Sequence, residues 1–339
     1  MQRRNFLHGL ISLALLGTSA CASTRARPQV PGRDRVPGAL RPGDRVGLIC
    51  PAGPINAERL ARAKRNVESL ALIPVVGQHV LARRGFTAGS VQQRLEDLHA
   101  MFDDPTIRAV WAIRGGYGCT QLLPHVDWSL LSRQPKLLIG YSDLTALLNA
   151  YYQRTGVRAL HGPVASSTFD AFATESFQQT AMTPGIATSL VGLPEGETIR
   201  PGVATGKLAG GNLTLLASLA GTTDQVICKD KIVLLEDVGE APYRIDRMLT
   251  QLLQATDLDS AAGIALGDFV DCEASGDNSL TLKEVMADRL RPLDIPVYLG
   301  LPFGHGNFNA SLPIGGPARL DAGAGVLTLT EPAVKNMGR

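Results

Sequence analysis

Residues 136–143 read KLLIGYSD, an apolar run that ends in Gly140 and then turns a polar corner. A helical pattern begins immediately afterwards and continues from Leu144 to Gln153. A short apolar run bounded by turn residues is typical of a buried strand. The stretch therefore predicts a buried strand, a tight turn and a helix, with Ser142 at the turn.

The same alternation of strand and helix patterns precedes this stretch. Strand and helix patterns alternate over Arg45–Cys50, Asn56–Leu70, Ile73–Val76, Ser90–Phe102 and Ala109–Ile113. Strands that alternate with helices indicate a parallel α/β sheet, and functional loops of such sheets lie at the carboxyl ends of the strands. We therefore expect the residues after each apolar run to be the ones that carry chemistry.

A polar stretch with several prolines and glycines divides the chain. We interpret residues 166–205 as an interdomain linker between an N-terminal domain (45–165) and a C-terminal domain (206–335). The second domain has strand-like runs and a helical stretch from Arg244 to Ala255, which predicts a mixed α/β domain. The predicted fold class is α/β with two domains and an active site in the cleft between them.

The composition excludes several classes of protein. The chain has 339 residues, 45% of them hydrophobic and 19% charged, which argues against disorder. The formal net charge is only +2, and no basic domain large enough to bind nucleic acid is visible. No cluster of histidine, cysteine and acidic residues has metal-ligand spacing, so we predict neither a metal nor a cofactor.

The first residues have the features of an export signal. Arg3 and Arg4 precede an apolar run that is too short to span a bilayer, and the string resembles a twin-arginine signal. Small residues before Cys21 resemble a lipoprotein cleavage box, which makes Cys21 a candidate for a lipid anchor. We expect residues 1–21 to direct export to the periplasm and residues 22–44, rich in arginine and proline, to form an extended tether.

The serine at the corner of KLLIGYSD has two interpretations. A serine between a buried strand and a helix can be a nucleophile, because the free N–H groups at the helix N-terminus favour developing negative charge there. The G-x-S-x-G string of such elbows is broken, since Leu occupies position 144. Alternatively, Ser142 or Asp143 simply caps the helix.

Candidates for a base and a carboxylate are also present. His161 and His305 each follow an apolar run, and His305 is flanked by two glycines. Glu236 ends the apolar run KIVLLE, although Asp237 and Glu240 compete with it for the role of the acid. The pair Gly115–Gly116 follows its own strand and is a candidate for backbone N–H donors to an oxyanion.

Several ordered strings resemble the LD-carboxypeptidases, the serine peptidase family that includes murein tetrapeptide carboxypeptidases and microcin C immunity peptidases. In the first half they are residues 114–118 (RGGYG) and 135–145 (PKLLIGYSDLT). In the second half they are residues 206–213 (GKLAGGNL), 235–237 (LED), 242–247 (PYRIDR) and 304–305 (GH). The resemblance covers about residues 45–330.

The resemblance implies a Ser–Glu–His triad. It assigns the nucleophile to Ser142, the carboxylate to Glu236 and the base to His305. It also implies oxyanion donors from Gly115, Gly116 and the backbone of Asp143.

The implied reaction releases the terminal D-amino acid, D-alanine, from murein tetrapeptide stems, and the family suggests a homodimer. Recognition of the substrate carboxylate needs a pocket that is cationic or rich in N–H groups, and Arg244 and Arg247 are candidates for the cationic groups. Three alternatives stay open. The chain could act on another peptide or a peptide–nucleotide conjugate, it could be a membrane-anchored solute-binding protein, or it could be an amidotransferase-like enzyme.

Overall fold

A computed structural model describes residues 34–185, 188–274, 276 and 278–336. The predicted export signal, Cys21 and residues 22–33 of the predicted tether lie outside this part of the chain. The strands are β1 Arg45–Ile49, β2 Ile73–Val76, β3 Ile107–Ala112, β4 Leu137–Gly140, β5 Ala159–His161, β6 Ser189–Val191, β7 Glu197–Arg200, β8 Val203–Asn212, β9 Lys231–Val238, β10 Gly263–Val270, β11 Val297–Leu299, β12 Leu312–Ile314, β13 Pro317–Asp321 and β14 Val326–Leu329. The α-helices are α1 Ala57–Ser69, α2 Val91–Asp103, α3 Trp128–Arg133, α4 Thr145–Thr155, α5 Ala171–Phe177, α6 Leu213–Leu219, α7 Pro242–Ala255 and α8 Leu282–Leu290.

The first sheet has six strands in the order β12-β5-β4-β3-β1-β2. All neighbouring pairs are parallel except β12 with β5. Local signals define its helices: the Asn56 side chain caps α1, and Ser90 and Gln93 form a capping box at α2. The predicted parallel α/β layer is confirmed.

The second sheet has eight strands in the order β6-β14-β13-β8-β9-β10-β11-β7. Its central strands β8, β9, β10 and β11 are parallel, and the outer strands pair in antiparallel fashion. Helices α6, α7 and α8 pack their apolar faces against the central strands. One residue from each helix, Leu216, Leu249 and Val285, lies in a buried cluster with Val233 and Ile264 of the sheet. The prediction of a mixed α/β second half is confirmed.

Two stretches differ from the boundaries predicted from sequence. The predicted linker 166–205 contains α5, β6 and β7 and the start of β8, and both short strands belong to the second sheet. The described end of the predicted tether, residues 34–44, packs on the fold: Leu40 is buried and Arg35 pairs with Val157. Both predictions relied on polar composition. Short edge strands and segments that pack on the surface bury few side chains, so their composition resembles that of a linker.

The two sheets share one core. Its largest apolar cluster includes Ile49 and Leu138 from the first sheet and Leu208 and Leu234 from the second. The chain also returns to the first sheet after building most of the second, since β12 pairs with β5. The two halves are therefore joined by packing and by backbone hydrogen bonds as well as by the chain.

The cysteines within the described part of the chain are all buried and unpaired: Cys50, Cys119, Cys228 and Cys272. Burial raises the pKa of the Cys50 thiol to about 12, so this side chain is a small core residue at neutral pH. None of the helices in the described ranges combines the length and apolarity needed to cross a bilayer.

Candidate active site

Three neighbouring parallel strands of the first sheet end side by side. Strand β3 pairs with both β1 and β4. The carboxyl ends of parallel strands meet at one edge of a sheet, so the loops after these strands are brought together. These loops carry the turn at residues 50–56, the glycine-rich segment 114–118 and the corner at Ser142.

Ser142 has a left-handed backbone conformation, with φ of +62°. A residue with a side chain pays roughly 1–2 kcal/mol for this conformation, so the surrounding structure must hold it. A single 3-10 turn, Ser142–Leu144, follows the strand and leads into α4. Neither Ser142 nor Asp143 caps that helix with its side chain. The capping interpretation is therefore wrong, and the corner has the sharp strand-to-helix geometry of a nucleophile elbow.

The glycine-rich segment lies directly against this serine. A Cβ atom placed on Gly115 would lie 3.1 Å from Ser142 Oγ, so a side chain at this position would crowd the serine. The Gly115 carbonyl accepts a hydrogen bond from the Gly53 N–H at 3.0 Å, and Gly116 has φ of +120°. The backbone of Gly115 thus passes close to the serine side chain, and Gly116 lines the same pocket.

Asp143 holds the segment in place through its side chain. Its buried carboxylate accepts a hydrogen bond from the Cys119 N–H at 2.8 Å. Buried Arg94 fixes the same loop by donating to the carbonyl oxygens of Pro51 and Gly118 at 2.8 and 2.9 Å. The predicted site residues Gly115, Gly116 and Asp143 are therefore neighbours of Ser142, and Asp143 has an additional structural contact that sequence did not reveal.

His305 and Glu236 come together from the second half of the chain. Glu236 lies near the end of β9 and is completely buried, whereas His305 follows β11 and its side chain is 16% exposed. The Nδ1 atom of His305 lies 2.5 Å from Oε2 of Glu236. A carboxylate at Nδ1 orients the imidazole and leaves Nε2 available to a neighbouring group.

The glycines around His305 make this contact possible. Gly304 has φ of +118°, and a Cβ atom there would lie 2.9 Å from Oε2 of Glu236. A Cβ atom on Gly306 would lie 2.1 Å from Oδ2 of Asp268. Two carboxyl groups therefore approach the loop on either side of His305, and any larger residue at 304 or 306 would displace one of them.

The pKa values of Glu236 and His305 are both shifted from their usual values. Burial raises the pKa of the Glu236 carboxyl above its usual value. Burial also acts to lower the pKa of His305, but the hydrogen bond and the negative charge of Glu236 outweigh it, so the pKa of His305 is raised. Burial raises the pKa of nearby Asp268 to about 6. The environment thus favours the protonated imidazole more than water does.

The competing candidates are occupied elsewhere. Asp237 accepts hydrogen bonds from Asn212 Nδ2 at 2.9 Å and from the Thr214 hydroxyl at 2.8 Å, and Glu240 forms an ion pair with Arg244. His161 is fully buried between the rings of Tyr141 and Phe303, and burial lowers its pKa to about 3. Sequence left these alternatives open, and the geometry leaves Glu236 and His305 as the carboxylate and imidazole that contact each other.

Ser142 and His305 line the same pocket of about 330 Å³, together with Gly115, Gly116 and Tyr141. We call it the serine pocket. The Tyr141 ring packs on the His305 ring with centroids 4.8 Å apart. The pocket is lined by both halves of the chain, because Ser142 belongs to the first and His305 to the second. Over the described ranges, no three His, Cys, Asp or Glu side chains come together as a metal site would require.

Sequence reasoning missed three further residues of the serine pocket, namely Arg59, Arg62 and Arg114. Arg59 and Arg62 lie one turn apart on α1, and Arg114 directly precedes Gly115. The available signal was their position after the carboxyl ends of β1 and β3. Without the strand order, however, nothing in the sequence brings α1 next to the GYSD corner.

Comparisons with known proteins agree with this architecture. Residues 46–162 match the family described as LD-carboxypeptidase N-terminal domain, and residues 205–320 match the LD-carboxypeptidase C-terminal domain. A murein tetrapeptide carboxypeptidase of Pseudomonas aeruginosa is 40% identical over 288 residues, which cover 82% of this chain and 93% of that protein.

Solved structures show the same fold. The muramoyltetrapeptide carboxypeptidase from Oxalobacter formigenes superposes with a TM-score of 0.76 at 31% identity, covering 85% of this chain and 99% of that one. An MccF-like protein from Bacillus anthracis gives a TM-score of 0.78 at 27% identity, covering 87% of this chain and 99% of that one. The matched domains span most of the described residues in the expected order. The chain therefore belongs to the LD-carboxypeptidase family of serine peptidases.

Proposed function

We propose that this enzyme releases the terminal D-alanine from murein tetrapeptide stems through an acyl-enzyme formed on Ser142. The observation that carries the proposal is the contact of buried Glu236 with His305, which lines the same pocket as the strained Ser142. A binding protein has no need for a serine, an imidazole and a buried acid to converge. The relatives named for murein tetrapeptides support the choice of substrate.

In the proposed acylation, Nε2 of His305 accepts the Ser142 hydroxyl proton while Oγ attacks the scissile carbonyl carbon. Glu236 stabilises the imidazolium that forms, and it already favours this charged state. The backbone N–H groups of Gly116 and Asp143 are the proposed donors to the oxyanion. The tetrahedral intermediate then collapses, and the imidazolium protonates the departing amine of D-alanine.

In the proposed deacylation, a water molecule replaces the departed amine. His305 accepts a proton from that water as its oxygen attacks the acyl carbon. The second tetrahedral intermediate expels Ser142 Oγ, which recovers its proton from the imidazolium. The products are a tripeptide stem with a new carboxylate and free D-alanine, and the enzyme returns to its starting state.

The test is release of D-alanine from a purified disaccharide-tetrapeptide, followed by mass spectrometry. We expect the wild-type protein to release one D-alanine per stem. We expect Ser142→Ala to lose at least roughly 10⁴-fold in kcat, because the residual rate then comes only from binding and oxyanion stabilisation. The matched control is Ser129→Ala, a serine on α3 outside the serine pocket, which should keep wild-type activity.

Two results would contradict the proposal in different ways. No release by the wild-type protein would reject the murein tetrapeptide as substrate. Equal release by wild type and Ser142→Ala would reject the nucleophile. Covalent labelling tests the nucleophile independently of the substrate: Ser142 Oγ should displace fluoride from a fluorophosphonate in wild type, and the adduct should be absent from Ser142→Ala.

A further inference from the structure

The serine pocket has a cationic wall. Arg59, Arg62 and Arg114 line it, and none of its described lining residues is acidic. Within the described ranges these three guanidinium groups have no ion-pair partner. We call them the arginine cluster. We propose that Arg59 and Arg114 bind the free terminal carboxylate of the substrate and so make the enzyme a carboxypeptidase rather than an endopeptidase; this inference rests on the proposed function.

Covalent geometry requires such a group to be near Ser142. In a C-terminal residue, the carboxylate carbon is separated from the scissile carbonyl carbon by the amide nitrogen and one Cα atom. The three bonds add up to at most about 4.3 Å. A carbonyl in contact with Ser142 Oγ therefore brings the terminal carboxylate into the same pocket. The group that recognises it must line that pocket.

Contacts with the backbone of the neighbouring loop fix the position of the Arg114 guanidinium. It donates a hydrogen bond to the Pro54 carbonyl at 2.6 Å, and its guanidinium packs against Gly53, where an added Cβ atom would lie 3.4 Å from Cζ. The remaining N–H groups of a guanidinium fixed at one side can still donate to an anion. Arg114 also directly precedes Gly115, so the same short segment carries a cation and the backbone next to Ser142.

Arg59 is the second contact. It lies near the start of α1 and is partly buried in the wall of the serine pocket, whereas Arg62 is exposed. Burial and the charges of Arg114 and Arg62 lower the pKa of Arg59. An anion that binds between these like charges reduces their mutual repulsion. Paired guanidinium groups also bind a carboxylate with good hydrogen-bond geometry.

The arginines suggested by sequence alone do not fit this role. Arg244 lies on α7, forms an ion pair with Glu240 and contacts the Tyr243 side chain. Arg247 lies over the Tyr243 ring at 5.6 Å. Neither of them lines the serine pocket. Recognition of the carboxylate is therefore assigned to the first half of the chain, beside the nucleophile.

The experiment compares two substrates that differ only in terminal charge. One is the tetrapeptide stem ending in L-lysyl-D-alanine, and the other is the same peptide ending in D-alaninamide. We expect wild type to prefer the acid in kcat/KM, and Arg59→Gln to lose roughly 10- to 100-fold on the acid with little change on the amide. Arg114→Gln should behave similarly. Arg65→Gln, an exposed position on the same helix, is the matched control and should behave as wild type.

A loss of the same size on both substrates would overturn the inference, since it would indicate a structural effect. An unchanged preference for the acid in Arg59→Gln and in the Arg59→Gln/Arg114→Gln double variant would also overturn it. Both results leave D-alanine release by the wild type intact, so they are distinct from a failure of the proposed function.

A binding measurement does not depend on turnover. In the Ser142→Ala background, calorimetry compares N-acetyl-D-alanine with its amide. We expect the acid to bind more tightly and Arg59→Gln to remove the difference. Equal binding of acid and amide to the parent protein would reject the arginine cluster as a carboxylate site even if the tetrapeptide proves to be the wrong substrate.

Discussion

The residue that depends most on its neighbours is His305. Glu236 contacts its Nδ1 atom, the Tyr141 ring packs on its face, and glycines at 304 and 306 leave room for two carboxyl groups. Because Glu236 has no exposed surface, its charge is poorly screened and acts strongly on the imidazole. The ionisation of His305 should therefore control the pH dependence of the reaction.

We expect kcat/KM to fall as the pH is lowered, with a midpoint above the ordinary pKa of histidine. In the proposed mechanism only the neutral imidazole accepts the serine proton, and the pKa of His305 is raised. In Glu236→Gln the negative charge is lost while burial remains, so the midpoint should move to lower pH. The rate at the optimum should fall by roughly 10²–10⁴-fold. A pH–rate profile of both proteins measures this.

Glu240→Gln provides the control for that profile, because Glu240 is a partly exposed acid a few residues away that pairs with Arg244. Its midpoint should match that of wild type. A Glu236→Gln midpoint at or above the wild-type value would mean that another group, such as Asp268, sets the charge on the imidazole.

Among single residues, the sequence predicted those that their neighbours along the chain mark as candidates. Ser142, Glu236 and His305 each follow an apolar run, and the family strings assigned their roles, which the experiments above test. Arg94 could not be predicted in this way. It lies in the first turn of α2, and its importance comes from carbonyl groups 24 and 43 residues away. Long-range partners of this kind leave no pattern in the neighbouring residues.

Among the elements, α4 links the two sheets. The side-chain amide of Asn149 donates a hydrogen bond to the Gly210 carbonyl and accepts one from the Gly210 N–H, both at 2.9 Å. It thus bonds to Gly210 as the backbone of a neighbouring strand would. The Thr145 hydroxyl accepts from the Asn212 N–H at 3.0 Å. Gly211 allows this approach, since a Cβ atom there would lie 2.6 Å from Thr145 Oγ1. The helix that follows Ser142 is thus bonded to the strand next to the one that carries Glu236.

Asn149→Ala should lower the free energy of unfolding by about 2–4 kcal/mol, because it leaves the buried Gly210 N–H and carbonyl without partners. Thr145→Val removes one acceptor and should cost less, about 1–2 kcal/mol. Urea unfolding followed by circular dichroism measures both. An Asn149→Ala effect below that of Thr145→Val would contradict the importance of the paired contact.

The sequence predicted some strands better than others, and the reason is physical. Apolar runs such as the one in β9 gave strands close to their observed bounds, because strands covered on both faces are continuously hydrophobic. Strand β8 reads VATGKLAGGN, and its glycines hide it from any periodic pattern. Gly211 leaves room for α4, and added Cβ atoms at Gly206 and Gly210 would meet the backbone of residues 230–234. These close approaches are properties of the assembled fold and not of the segment.

At the scale of the whole molecule, the core that the two sheets share predicts that the protein unfolds in a single cooperative transition. Leu249 is fully buried in the cluster under α7, and Leu249→Ala should destabilise the protein by about 2–5 kcal/mol. Both tryptophans of the chain, Trp111 and Trp128, lie in the first half, so tryptophan fluorescence reports on the half that does not contain Leu249. We expect this substitution to shift the fluorescence and circular-dichroism midpoints equally.

A control substitution at exposed Gln254 on the same helix, Gln254→Ala, should change both midpoints only slightly. If Leu249→Ala split the transition, with the tryptophan signal unchanged, the two halves would unfold independently. The domain boundaries predicted from sequence would then describe the molecule better than its shared core does.

The pairing of β12 with β5 also has a consequence for biosynthesis. Strand β5 ends at His161, but its partner at the sheet edge is made only when residues 312–314 leave the ribosome. At about 5–20 residues per second, the intervening stretch of roughly 150 residues takes about 8–30 s to translate. During that interval the nascent chain exposes an open edge that invites wrong pairing. Ribosome-bound intermediates that end before residue 312 should therefore depend on chaperones more than the finished protein does.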